Sequence, residues 1–87
     1  MNTEERIHTF IVEELLEQPF SGDDPLEEGV VDSLGIEQLV DFLEYEYGIE
    51  FADQEVTAEN FATVPGVAAL VDDKRAAAAS PPRDAGR

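Results

Sequence analysis

GVVDSLGIEQLVDFLEYEYGIEF, residues 29–51, is the stretch whose reading decides the fold. Asp32 and Ser33 are both residues that cap a helix start by accepting from a free backbone N–H. Gly48 stands where a helix closes in a left-handed turn. A helix is therefore predicted from Ser33 to near Tyr47. It carries two stripes. Ile36, Leu39, Val40, Leu43 and Tyr47 fall at i, i+3, i+4, i+7 and i+11, the pattern of a core face. Leu34, Gln38, Asp41 and Tyr45 share the opposite side, with Glu37 beside them. A leucine and a tyrosine aligned among polar residues, leading away from Asp32-Ser33, have the composition of a contact surface.

Towards the N-terminus lies PFSGDDPLEEGVVD, a long loop with two prolines and two glycines. Leu26, Val30 and Val31 are its expected anchors on the core. Before it, a first helix is predicted from about Thr3 to Gln18, stopped by Pro19. Asn2 and Glu5 have capping-box spacing, and Ile7, Phe10, Ile11 and Leu15 define one face. Towards the C-terminus, Ile49 to Val56 reads as an irregular crossing segment anchored by Ile49 and Phe51. Thr57 is placed to cap a short helix through Phe61, and Thr63 to cap a last helix with Pro65 in its first turn. Val64, Val67, Ala68 and Val71 form the apolar face of that helix. The expected fold is all-α: a small bundle of three main helices plus one short helix, with a long first loop. Residues 1–75 form the domain, and 76–87, AAAASPPRDAGR with no large apolar side chain, are expected to be a disordered tail.

Composition removes several classes of function. The chain has 87 residues and no cysteine, so disulfides and thiolate metal sites are excluded. Its 21 acids against five bases leave a formal charge of −16, and residues 1–73 carry a single base, Arg6. Such a surface repels nucleic acid and anionic membrane and favours partners that present basic patches. No apolar run has the length of a membrane span, and the N-terminus has acids where a signal peptide needs bases. A cytoplasmic monomer is expected. His8, the only histidine, sits beside the apolar face of the first helix and reads as structural rather than catalytic. No catalytic set and no phosphate-binding glycine loop can be assembled. DDPLEEGVVD is acidic but lacks the ligand pattern of a calcium loop, so no metal site is assigned.

Asp32-Ser33-Leu34 carries the remaining chemistry. Taken alone, a serine at a helix start is most often only a cap. A hydroxyl there is also exposed, and a phosphodiester on it would meet free N–H groups and the positive end of the helix dipole. Beyond the tripeptide, Leu26 to Val71 resembles acyl carrier proteins. The likeness lies in the Asp-Ser-Leu motif, the Leu39-Val40 and Leu43-Glu44 steps, Gly48-Ile49, and Phe61 before Thr63-Val64. The resemblance implies that Ser33 carries a covalent 4'-phosphopantetheine arm, installed by a phosphopantetheinyl transferase from coenzyme A with Mg2+. The arm would hold an acyl group as a thioester, and the chain itself would not be an enzyme. It further implies acyltransferase, ligase or synthase partners with basic docking patches, which meet Asp32, Leu34, Glu37, Gln38, Asp41, Glu44 and Tyr45.

Three positions depart from the carriers of fatty acid synthesis. Gly35 stands where they usually have an acid, Gln38 where they commonly have Glu, and Asp41 where they have an apolar residue. The chain is more similar to discrete carriers of polyketide or hybrid polyketide–peptide biosynthesis. An aminoacyl or peptidyl carrier with the same arm is the neighbouring reading. A non-covalent acidic interaction module, in which Ser33 is only a cap, is the alternative from a different class.

Overall fold

A computed structural model describes residues 2–16 and 20–79. Among these the chain is helical, without strands. Helix α1 spans Thr3–Phe10 and continues as a π-helical stretch, Ile11–Leu16. Helix α2 spans Ser33–Tyr47, a 3-10 turn covers Asp53–Glu55, and α3 spans Val64–Ala79.

Each start has an identifiable cap. The Glu5 N–H donates to Asn2 Oδ1 at 2.8 Å and the Asn2 N–H donates to Glu5 Oε1 at 3.1 Å, closing the capping box that their spacing predicts. At the far end of α2, Gly48 adopts φ +65°, and its N–H donates to the Glu44 carbonyl at 2.9 Å. A side chain at that angle would strain the backbone, so glycine is the residue that ends the helix without cost.

Ile7, Ile11, Leu39, Leu43, Val67 and Val71 are fully buried and bring the three helices onto one core. Leu26, Ile49, Phe61, Val64 and Ala68 complete it. The expected stripe on α3 therefore faces inward throughout, whereas on α1 Ile7 and Ile11 are buried and Phe10 and Leu15 are half-buried against the cluster. On α2, Leu39 and Leu43 are buried while Ile36, Val40 and Tyr47 are half-buried against the cluster.

Contacts along α1 and α2 fix their directions. Leu15 lies beside Gly35, Phe10 stacks on Phe42 at 4.1 Å, and Arg6 pairs with Glu46. Residue numbers fall on one helix as they rise on the other, so α1 and α2 run antiparallel. Arg75, late in α3, covers the Tyr47 ring at 4.9 Å, and Thr3 Oγ1 donates to Asp72 Oδ1 at 2.9 Å. The end of α2 and the beginning of α1 thus meet the second half of α3.

Four expectations change. The short helix predicted at Thr57–Phe61 is a single hydrogen-bonded turn: Thr57 Oγ1 accepts from the Asn60 N–H and the Thr57 carbonyl from the Phe61 N–H, both at 3.0 Å. One turn satisfies the Thr57 cap but offers too few bonds to propagate. Val30, expected on the core, is 45% exposed; of the other expected anchors Leu26 is buried, with Pro25 beside it, and Val31 is half-buried. The chain bends at Val31, and only that member of the Val30-Val31 pair is drawn against the core. Residues 76–79, expected in the tail, continue α3, since alanine carries the highest helix propensity. Finally, α1 gives way to π-helical turns after Phe10. Gln18 and Pro19, the expected end of that helix, and residues 80–87, the rest of the expected tail, lie outside the described residues.

The crossing segment is held from three directions. Phe51 and Phe61 meet edge to face at 5.8 Å, and Lys74 lies over the Phe51 ring at 5.3 Å. Lys74 Nζ also contacts Glu55 Oε1 at 2.7 Å, while the Ala52 N–H donates to the same oxygen at 2.8 Å. Lys74 first, then the Ala52 N–H, hold the Glu55 carboxyl below its ordinary value of 4.5. A lowered folded value means that this contact stabilises above the ordinary value and that its contribution is lost as pH falls through the folded midpoint. Lys74→Ala should move the Glu55 midpoint back up towards 4.5, read by NMR titration of the side-chain carboxyl. An unmoved midpoint would show that the ion pair is not its cause.

Candidate functional site

The long loop is organised by one carboxylate. Asp24 is buried, and its Oδ1 accepts from the N–H groups of Leu26 at 2.9 Å and Glu27 at 3.1 Å. Its Oδ2 accepts from the Val64 N–H at 2.9 Å. Asp24 thus caps its own Pro25–Gly29 turn and, across forty residues, the first N–H of α3. Thr63 Oγ1 takes the Gly66 N–H at 3.0 Å, the Thr63 carbonyl takes that of Val67 at 3.1 Å, and Pro65 has none. All four leading positions of α3 are accounted for. Asp24, and Glu28, whose Oε2 accepts from the Asp23 N–H at 3.2 Å, thus serve the backbone of this loop. Among the described residues no three His, Asp or Glu side chains are grouped to hold an ion.

The start of α2 differs. Asp32, not Ser33, is the cap: its Oδ1 accepts from the Gly35 N–H at 2.8 Å, and its carbonyl accepts from Ile36 at 2.9 Å. Ser33 is the first helical residue, exposed, with its hydroxyl outside the capping bond. Among the described residues, neither the Ser33 nor the Leu34 N–H has a protein acceptor. The two helix starts lie at the same end of the molecule, one fully satisfied and the other left with free donors.

Ser33 stands on the rim of a cleft of about 480 Å3 between the start of α2 and the segment before α3. Leu26, Val31, Ile36, Val56 and Phe61 form its apolar wall, and Asp32 and Glu37 its acidic edge. A phosphate placed on Ser33 would sit at a helix start whose Ser33 and Leu34 N–H groups have no protein acceptor among the described residues. The Asp32 carboxylate opposes that phosphate electrostatically, but it is already bound to the Gly35 N–H.

The other residues singled out in the sequence separate into four groups. Leu34 is 62% exposed and Tyr45 is 90% exposed, both without an apolar neighbour to cover them. Gln38 and Asp41 are exposed and border a depression shared with Phe10, Glu14, Leu15 and Phe42. Glu44 is half-buried, and its Oε2 accepts from the Phe51 N–H at 2.9 Å, so it holds the crossing segment and is not free in the way Asp41 is. His8 packs against Phe20 at 6.1 Å and lines no cleft with Ser33.

No family model, curated protein or solved structure matches the chain.

The surroundings of two α2 residues come only from the packing of the helices. Phe42 lies between the two stripes of α2 and finds its partner, Phe10, only on another helix. Gly35 is buried, and a Cβ there would stand 2.8 Å from Val31 Cγ1 and 3.7 Å from Leu15 Cδ1. The absence of an acid two residues after Ser33 thus has a steric cause. Gly35→Glu should cost about 1–3 kcal/mol in urea denaturation, because Val31 must move and a carboxylate enters a buried site. A change under about 0.5 kcal/mol would mean that the loop gives way freely.

Proposed function

We propose that this chain is a discrete acyl carrier protein. It tethers an acyl group on a 4'-phosphopantetheine arm at Ser33 and presents it to the enzymes of a specialised, polyketide-type biosynthetic pathway. The observation that carries the reading is the division of labour at the head of α2. Asp32 takes the cap, which removes the ordinary structural reason for Ser33 and leaves an exposed hydroxyl beside two free N–H donors and a cleft.

In this reading Ser33 Oγ attacks the phosphorus next to the pantetheine of coenzyme A. An Oγ–P bond forms, the pyrophosphate P–O bond breaks, adenosine 3',5'-bisphosphate leaves, and the serine proton passes to the transferase. The arm, once bound, supplies a thiol that holds cargo as a thioester. The chain's own contribution is tethering, which raises the cargo's effective concentration at each partner. Leu34, Glu37, Asp41 and Tyr45 supply the first contact, since exposed apolar groups among acids suit basic partner patches.

Intact-mass measurement after incubation with coenzyme A, Mg2+ and a promiscuous phosphopantetheinyl transferase tests the proposal. One phosphopantetheine added to the wild type and none to Ser33→Ala is the expected result. No gain on the wild type, or equal gain on the variant, would falsify it.

A further inference from the structure

The seam between α1 and α2 carries a feature that the Ser33 reading does not use. Phe10 and Phe42 stack at 4.1 Å with their planes 10° apart, and both remain half-buried rather than entering the core. The pair floors two adjoining depressions, of about 280 Å3 on the Arg6 side and about 460 Å3 on the Gln38 side. Glu13, Glu14 and Asp41, all exposed, stand around them. Among the described residues the ion pairs are Arg6–Glu46 and Lys74–Glu55, so these three carboxylates have no neutralising partner while the one base of the seam is already paired.

We infer that this seam is a second docking surface, and that its occupant is a basic, amphipathic helix of a partner protein. Charge selects the class. A surface of a chain at −16 repels a second copy of itself, nucleic acid and anionic membrane alike. A cationic element reduces the repulsion among Glu13, Glu14 and Asp41. The stacked rings select the amphipathic form: a half-buried aromatic floor gains from an apolar side chain laid on it, which a purely charged peptide lacks. Position also matters. Asp41 is eight residues beyond Ser33, about 12 Å along α2 at 1.5 Å per residue. A partner on this seam therefore spans two helices within reach of the helix start, and its contacts include α1, an element outside the face drawn from the sequence.

The inference goes beyond the carrier proposal and is tested without it. The full chain, unmodified and 15N-labelled, is titrated at about 150 mM salt, where exposed charges are screened beyond about 8 Å. Two synthetic peptides of equal positive charge serve as probes: a leucine–lysine amphipathic helix, and its counterpart with serine in place of leucine. The amphipathic probe should bind about tenfold tighter, with amide shifts centred on Phe10, Glu13, Glu14, Asp41 and Phe42. Charge reversal at two exposed positions, E13K with E14K, should weaken it by about tenfold without changing the helical circular dichroism. Equal affinity for both peptides, shifts spread over the whole acidic surface, or shifts centred on the Ser33 cleft would overturn the inference. The same shifts on concentrating the protein alone would also overturn it, by assigning the seam to a second copy. Because no arm is present, failure here leaves the loading of Ser33 untouched, and failure of loading leaves this result untouched.

Discussion

Ser33→Ala is expected to abolish loading by the transferase while leaving the fold where it was, with an unfolding free energy within about 0.5 kcal/mol of the wild type. The two halves of that result have different origins. Loading is lost completely because the nucleophile is one oxygen atom. Stability is kept because Ser33 is exposed and the capping bond belongs to Asp32. Asp32→Ala reverses the pattern. It removes the acceptor of the Gly35 N–H and should cost about 1 kcal/mol, yet it keeps the nucleophilic hydroxyl, so loading should be slowed by the lost Asp32 contact and not abolished. Intact mass and urea denaturation on the two variants separate the roles. A Ser33→Ala protein destabilised as much as Asp32→Ala would return the serine to the status of a cap.

Asp24→Ala should be the most damaging single change to the loop. Three backbone N–H groups, those of Leu26, Glu27 and Val64, share its carboxylate, and two of those bonds are buried. Stripping a buried donor of its partner costs about 1–3 kcal/mol, so a total loss near 3 kcal/mol is expected even with water reaching the outer group. At about 0.1 kcal/mol per residue, a domain of this size has roughly 5–10 kcal/mol to lose. The variant should therefore show a clearly lower urea midpoint. Hydrogen exchange should accelerate first at Val64 and in the Pro25–Gly29 turn, which lose their shared anchor. Asp24→Asn is the informative companion: its amide oxygen still accepts on one side, while its NH2 group cannot accept from Val64. A loss under about 0.5 kcal/mol in Asp24→Ala would show that the loop holds its place through Pro25 and Leu26 packing alone.

How much of this was legible beforehand follows the range of each interaction. Local signals read correctly: the Asn2–Glu5 box, the αL glycine at 48, the Thr63 cap and the apolar faces of all three helices depend on residues within one or two turns. The choice between Asp32 and Ser33 as cap stayed open because both residue types satisfy the same N–H. The structure gives the bond to Asp32, whose Oδ1 takes the Gly35 N–H. The short helix at 57–61 is a single turn because a good cap does not guarantee propagation, and Phe61 is committed to the core beside Phe51. Glu44 and Asp41 look equivalent in a helical stripe. One bonds the Phe51 N–H seven residues on, and the other borders the α1–α2 seam.

By itself the sequence determined the helices, their inward faces and the presence of a serine at the head of the two-striped one, because periodicity and caps are short-range properties of the chain. Only the tertiary structure decided what that serine is free to do. Asp32 took the cap, a carboxylate forty residues away closed the neighbouring helix start, and the remaining free N–H groups were left at Ser33 and Leu34. The same holds for Phe42 and Asp41, whose surroundings come from α1 and could not be read from α2 alone. The physical reason is common to both. A hydrogen bond or a ring contact between residues distant in sequence depends on how the helices meet, and that is set by the packing of the whole core.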